Sequence, residues 1–134
     1  MAAAAAKGWI VVAALSGAIA IALGAFAAHG LDLSTEAGRK AREWLQTGSQ
    51  YEILHALAIV AVVAVARAGL VNSPVALVAQ CLFLTGSVLF PGALYALALG
   101  GPRWFGAVAP IGGTALILGW LSLGLAGLLR TESG

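Results

Sequence analysis

Charged positions along the 134-residue chain are few, and long apolar runs separate them. Residues 8–31 lie between Lys7 and Asp32, residues 68–102 between Arg67 and Arg103, and residues 104–129 between Arg103 and Arg130. A shorter run, 53–66, lies between Glu52 and Arg67. A bilayer core takes about 20 apolar residues per helix, so the pattern predicts four transmembrane spans, about 9–28, 49–70, 75–99 and 106–129. Backbone groups inside lipid must be satisfied within the segment, which makes these spans helices. A closed barrel would need short alternating strands, and none are present. Trp9 and Trp104 stand where aromatic belt residues belong. Asn72-Ser73-Pro74 and Gly100-Gly101-Pro102 supply tight connections.

Residues 35–48 follow a different pattern. Ala37, Ala41, Trp44, Leu45 and Gly48 share one side of a helical wheel, with Glu36, Arg39, Arg42, Glu43 and Gln46 on the other. This is an amphipathic helix too polar to span, suited to a membrane surface or simply to connecting two spans. The expected architecture is therefore an all-α integral membrane protein. It is a four-helix transmembrane bundle with one interfacial amphipathic helix, in a single domain over residues 1–134. Met1 to His29 has the layout of a signal peptide, but its apolar run exceeds a signal peptide's usual 7–15 residues and reads as a retained first span.

Composition narrows the function classes. With 61% hydrophobic and 9% charged residues, against roughly a quarter charged in soluble domains, a soluble enzyme, a nucleic-acid binder and a disordered chain are excluded. The lipid bilayer is the one certain partner. Cys81 is the single cysteine, so no internal disulfide forms. Lys7, Arg67 and Arg130 fall on one side, and Arg39, Lys40, Arg42 and Arg103 on the other. That balance is nearly even, and with Lys7 preceding the first helix both termini are expected in the cytoplasm.

Small residues dominate the spans. Ala13, Gly17, Ala20, Gly24 and Ala28 step along the first, while Ala109 with Gly113 and Ala115 with Gly119 do so on the fourth. Such spacings let helix backbones approach closely in lipid. Two stripes on non-consecutive helices leave one free for another subunit. Pro91 cannot donate to the carbonyl of Ser87 and should bend the third span. Trp120 lies at a similar depth, so a bond from its indole N–H to the Ser87 region is expected.

Ionisable residues inside spans are functional candidates by default. His29 ends the first span and His55 enters the second, with Tyr51, Glu52, Tyr95 and Thr114 in the same half of the membrane. Tyr51 and His55 are four apart and share a helix face. One polar pocket holding both histidines near the membrane boundary is expected.

Four ordered motifs carry a family resemblance. They are Gly24-Ala-Phe-Ala-Ala-His29-Gly30, Trp44-Leu-Gln-Thr-Gly-Ser-Gln-Tyr51-Glu-Ile-Leu-His55-Ala, Gly86-Ser-Val-Leu-Phe-Pro-Gly-Ala-Leu-Tyr95-Ala-Leu-Ala-Leu-Gly and Ala109-Pro-Ile-Gly-Gly-Thr-Ala-Leu-Ile-Leu-Gly-Trp120. Over about residues 10–129 the chain resembles the YgdD-like family, a domain of unknown function with a mitochondrial counterpart. The resemblance implies a four-span bacterial inner-membrane protein and no particular activity. The chain departs from the family pattern at Ala27, Pro91 and Glu52, where glycine, serine and glutamine are usual. A carboxylate exchangeable for an amide is a poor catalytic acid, which leaves His29 and His55 as the leading site residues.

Three function classes follow. A structural or accessory subunit without chemistry of its own, in a larger membrane complex or a homo-oligomer, needs only a specific helix surface. No zinc-protease, nucleophile-elbow, phosphate-loop or dinucleotide signature occurs, so no enzyme is expected. Alternatively, His29 and His55 ligate haem, or His and Tyr bind a quinone head-group; a metal would also require Glu52. A small transporter or channel subunit is the third class, although Gln80, Ser16 and Ser122 are the only polar candidates in the other half of the bilayer.

Overall fold

A computed structural model describes residues 1–130; positions 131–134 of the expected domain lie outside the described residues. Four helices follow one another: α1 (Ala3–His29), α2 (Glu36–Arg67), α3 (Ser73–Ala98) and α4 (Phe105–Leu128). Each is long and apolar enough to cross a membrane. At about 1.5 Å per residue they run roughly 36–48 Å, more than the ~30 Å hydrocarbon core.

The connections are made by local chemistry. Between α1 and α2, Asp32 Oδ1 accepts from the Ser34 hydroxyl and backbone N–H, which lowers the Asp32 pKa. Thr35 then caps α2 by accepting from the Gly38 N–H at 3.0 Å. Gly69, at φ +70°, closes α2 while the Leu70 N–H bonds back to the Val65 carbonyl. This is the left-handed helix ending that glycine favours. Asn72 caps α3, and its N–H donates to the Ala126 carbonyl at 2.7 Å, tying the start of α3 to the end of α4.

The separate interfacial helix expected over 35–48 does not exist. Those residues are the first turns of α2, which passes without a break from the amphipathic stretch into the membrane. No proline interrupts it, so nothing ends the helix where polarity falls. The apolar side of the stretch meets protein: Ala41, Leu45 and Gly48 are buried, and Trp44 packs on a small cluster of Ala93, Leu94 and Ala109.

Extensive contacts join only neighbours in sequence: α1 with α2, α2 with α3, and α3 with α4. The main core lies between α2 and α3, from Ile59, Val62, Ala76, Ala79 and Phe83, with Ala13 and Leu116 reaching in from α1 and α4. On α1 the buried residues are Ala6, Ala13, Ala20 and Ala27, one every seven. That repeat keeps a single seam against the partner helix. Gly17 and Gly24 lie beside it, facing Ile53 and Ser49, as expected of packing glycines. Ala28 is exposed, and Ala27 takes the buried position instead.

The α3–α4 seam is tighter. A Cβ on Gly119 would come within 2.7 Å of the Phe83 ring, and one on Gly86 within 2.5 Å of Leu116. At Gly112 a Cβ would overlap the backbone of Leu89 and Phe90. The packing role expected of Gly113 therefore belongs to Gly112, since nothing lies within 4 Å of a Cβ at Gly113. One residue is a 100° rotation, enough to move a position from seam to outer face. Helix α3 continues through the buried Pro91.

Candidate functional site

Depth is set by α1. Ser16 is its middle residue, about 20 Å from either end, and its hydroxyl donates to Glu52 Oε2 at 3.0 Å. With α1 centred in the bilayer, Glu52 on α2 lies near its midplane. From α3 the Tyr95 hydroxyl donates to Glu52 Oε1 at 2.9 Å. Gly48 makes this reach possible, because a Cβ there would stand 2.6 Å from the Tyr95 ring. One carboxyl group, only 7% exposed, thus links three helices through two interhelical hydrogen bonds.

A carboxylate has about four lone-pair sites, and these two bonds use half of them. Beside Glu52 a cleft of about 380 Å³ opens between α1 and α3. Leu15, Ile19, Leu84 and Val88 form its apolar walls, and Ser16, Glu52 and Tyr95 supply its polar groups. Ser87 also lines the cleft, and its buried hydroxyl has no hydrogen-bond partner among the described residues.

His55 belongs to a second cluster, facing α3 and α4. The Trp120 indole N–H donates to His55 Nε2 at 3.1 Å, while His55 Nδ1 lies 2.6 Å from the Tyr51 carbonyl. The indole only donates and the carbonyl only accepts, so the ring is the Nδ1–H tautomer. The Phe83 and Trp120 rings pack on the imidazole with centroids at 5.5 and 6.0 Å, and Tyr51 stacks at 6.3 Å. Trp120 therefore has its polar partner, but that partner is His55 and not the Ser87 region.

The expected constellation is divided. Glu52 and Tyr95 form one centre, and Tyr51, His55 and Trp120 form another. His29 is the exposed last residue of α1, without a hydrogen bond or ring contact among the described residues. Thr114 is exposed and bonds to the Pro110 carbonyl of its own helix. A pocket shared by both histidines is thus not formed, and the polar groups lie deeper than the boundary. The physical reason is the start of α2: thirteen residues earlier than Ser49, at Glu36, it moves Glu52 and His55 inward. Ser16 is the partner that sequence reasoning missed. Antiparallel counting from the start of α2 at Glu36 places it within one helical turn of the level of Glu52.

The two histidines thus form no axial pair, and the Nε2 lone pair of His55 is directed at an indole N–H. Among the described residues no three His, Cys, Asp or Glu side chains come together as a metal site. The hydrogen bonds of Ser16 and Tyr95 to Glu52, and of Trp120 to His55, join one helix to another. One polar oddity lies elsewhere: Gln80 is fully buried, and neither of its amide atoms has a partner among the described residues.

The family described as "Protein of unknown function (DUF423)" matches residues 23–113. The chain belongs to this family. A membrane protein named UPF0382 from Haemophilus influenzae is 43% identical over 115 residues, 86% of this chain and 89% of the relative. The UPF0382 inner membrane protein YgdD of Escherichia coli K12 is 41% identical over 124 residues, 92% of this chain and 90% of its own length. YwdK of Bacillus subtilis, a UPF0382 membrane protein, is 37% identical over 123 residues, covering 90% of this chain and 95% of YwdK. No solved structure matches. The protein is accordingly a multi-pass membrane protein of a bacterial inner-membrane family, as the four spans require.

Proposed function

We propose that this DUF423 protein is a non-catalytic accessory subunit that packs against another membrane protein through the outer face of α4. The observation that carries this reading is a set of unpartnered helix glycines. Gly106, Gly113, Gly124 and Gly127 have no atom within 4 Å of a Cβ built on them. Gly106, Gly113 and Gly124 are separated by seven and eleven residues, spacings that return a helix to nearly the same face. Each glycine costs a helix roughly 1 kcal/mol relative to alanine in water, and no contact among the described residues offsets that here. In lipid, small residues on an open face are what close helix–helix association uses.

The mid-membrane polar groups support the same reading. Ser16 and Tyr95 each donate to Glu52, and Trp120 donates to His55, so these groups hold the helices in register and present a fixed outer surface. The test is recovery of tagged protein from native membranes in mild detergent, for the natural chain and for Gly113→Leu. The natural chain should emerge in a stoichiometric complex, and Gly113→Leu as a smaller species with an unchanged melting temperature. Co-recovery of untagged copies would identify the partner as a second copy of the chain. A natural chain that emerges as a monomer, or a Gly113→Leu complex that persists, would refute the proposal.

A second reading is binding of a lipophilic ligand in the α1–α3 cleft. It is favoured by the open lone pairs of Glu52 and the unpartnered Ser87 hydroxyl. Native mass spectrometry would show it as a small molecule retained by the natural chain and lost from Glu52→Leu.

A further inference from the structure

The cavity between the first turns of α2 and the α3–α4 turn has a chemistry unlike that of the clefts in the membrane. Its volume is about 680 Å³, and Lys40, Trp44, Leu97, Ala98, Arg103 and Gly106 are among its lining residues. Lys40 comes from α2 and Arg103 from the turn before α4, so two cations from separate elements converge on one space. Among the described residues no carboxylate lines it; Glu36 and Glu43 stand one turn either side of Lys40 on α2 and remain outside the cavity. We propose that this cavity binds the phosphate of an anionic phospholipid.

Depth selects the ligand. Lys40 is twelve residues before Glu52 on the same unbroken helix, so its backbone lies about 18 Å above the midplane. The hydrocarbon half-thickness is about 15 Å, and the head-groups extend a further ~5–8 Å. Lys40 is therefore level with lipid phosphates. Trp44, eight residues before Glu52, lies about 12 Å from the midplane, at the edge of the hydrocarbon where aromatic belt residues sit. The Lys40 ammonium stands 5.5 Å over the Trp44 ring, which holds the charge at that height. Below it, Leu97 and Ala98 offer apolar walls to the first carbons of an acyl chain. Arg103 contributes a planar fork matched to phosphate oxygens, and Lys40 a point charge. Basic pockets between transmembrane helices bind anionic head-groups by this chemistry.

The inference does not rest on the proposed partner face of α4, although Gly106 borders both. Its test uses the full chain in a neutral detergent, titrated with dioleoylphosphatidylglycerol or dioleoylphosphatidylcholine and read by native mass spectrometry. The natural chain should retain one phosphatidylglycerol in preference to phosphatidylcholine. A Lys40→Gln, Arg103→Gln double variant should bind it about 30-fold more weakly, roughly fivefold for each cation. The control is Lys7→Gln, Arg67→Gln, which removes the same charge from exposed residues on the opposite side and should leave binding unchanged. Inorganic phosphate forms the third arm and should fail to displace the lipid. Equal retention of the two lipids by the natural chain would overturn the proposal without reference to any variant. So would equal losses in the two double variants, and displacement by inorganic phosphate would overturn the assignment to a lipid.

Discussion

Replacing Gly112 by alanine should destabilise the protein by about 1–3 kcal/mol, whereas the same change at Gly113 should be neutral or stabilising by up to about 1 kcal/mol. The two residues adjoin on α4 and differ in what a new methyl group would meet. At Gly112 it would lie 2.7 Å from the Leu89 carbonyl carbon, 2.8 Å from Phe90 Cα, and closer still to the Phe90 nitrogen. Ordinary contact begins at 3.4 Å, so α3 and α4 must part by more than about 0.6 Å. These are backbone atoms, next to a proline that stiffens the same turn, and no side chain can swing aside. A gap of 0.5–1 Å forfeits roughly a quarter to a half of each dispersion contact along a seam. The same seam includes Gly86 against Leu116 and Gly119 against Phe83, so the loss spreads along it. The assay is reversible unfolding in mixed micelles, followed by far-ultraviolet circular dichroism, on protein dispersed to monomers. Equal effects at the two positions, or a larger one at Gly113, would show that the seam has been assigned to the wrong face of α4.

The remaining predictions concern the polar groups and the topology. Tyr95→Phe removes one of two donors to Glu52 and should cost about 0.5–2 kcal/mol. Combined with Ser16→Ala the loss should exceed the sum, because the carboxyl then has no donor, and strict additivity in the same unfolding assay would argue against a shared acceptor. His55→Leu leaves the Trp120 indole N–H without its acceptor; the indole hydrogen-bond marker in ultraviolet resonance Raman spectra should shift, and an unchanged marker would deny the bond. In a Cys81→Ser background, Lys40→Cys and Arg103→Cys should be labelled from one side of the membrane and Leu70→Cys from the other. Labelling of positions 40 and 103 from different sides would be incompatible with four spans.

Distances between charges were enough to make the four spans legible, and the turns were written in their own residues. Asn72 and Pro74 became a cap and a first-turn proline, and Gly100 adopted the positive φ of a chain reversal. What polarity could not show was that a helix can leave the membrane without stopping. The amphipathic helix expected over 35–48 is helical from Glu36, with Thr35 as its cap, yet its continuity with the span sets the depth of everything after it. Azimuth was the second illegible quantity. Adjacent glycines at 112 and 113 fit small-residue spacings equally well, and Trp120 needed a polar partner that three helices could have supplied.

Glu52 shows how the two deficits combine. Read as a boundary residue, it was a doubtful catalytic acid beside two histidines. Placed at mid-depth, it is the shared acceptor of Ser16 and Tyr95. The glutamine usual at this position in the YgdD-like pattern carries an amide oxygen that also accepts hydrogen bonds. It therefore preserves a link to α1 or α3 with an amide in place of the carboxyl group. An exchange that would disable an acid leaves a helix fastener in working order, and that is the sense in which the departure supports a structural role for this centre. A partner of the proposed kind, resting on α4, would meet helices already held in register from within. Its specificity would then depend on shape at Gly106, Gly113 and Gly124, and would need no polar group of its own at that depth.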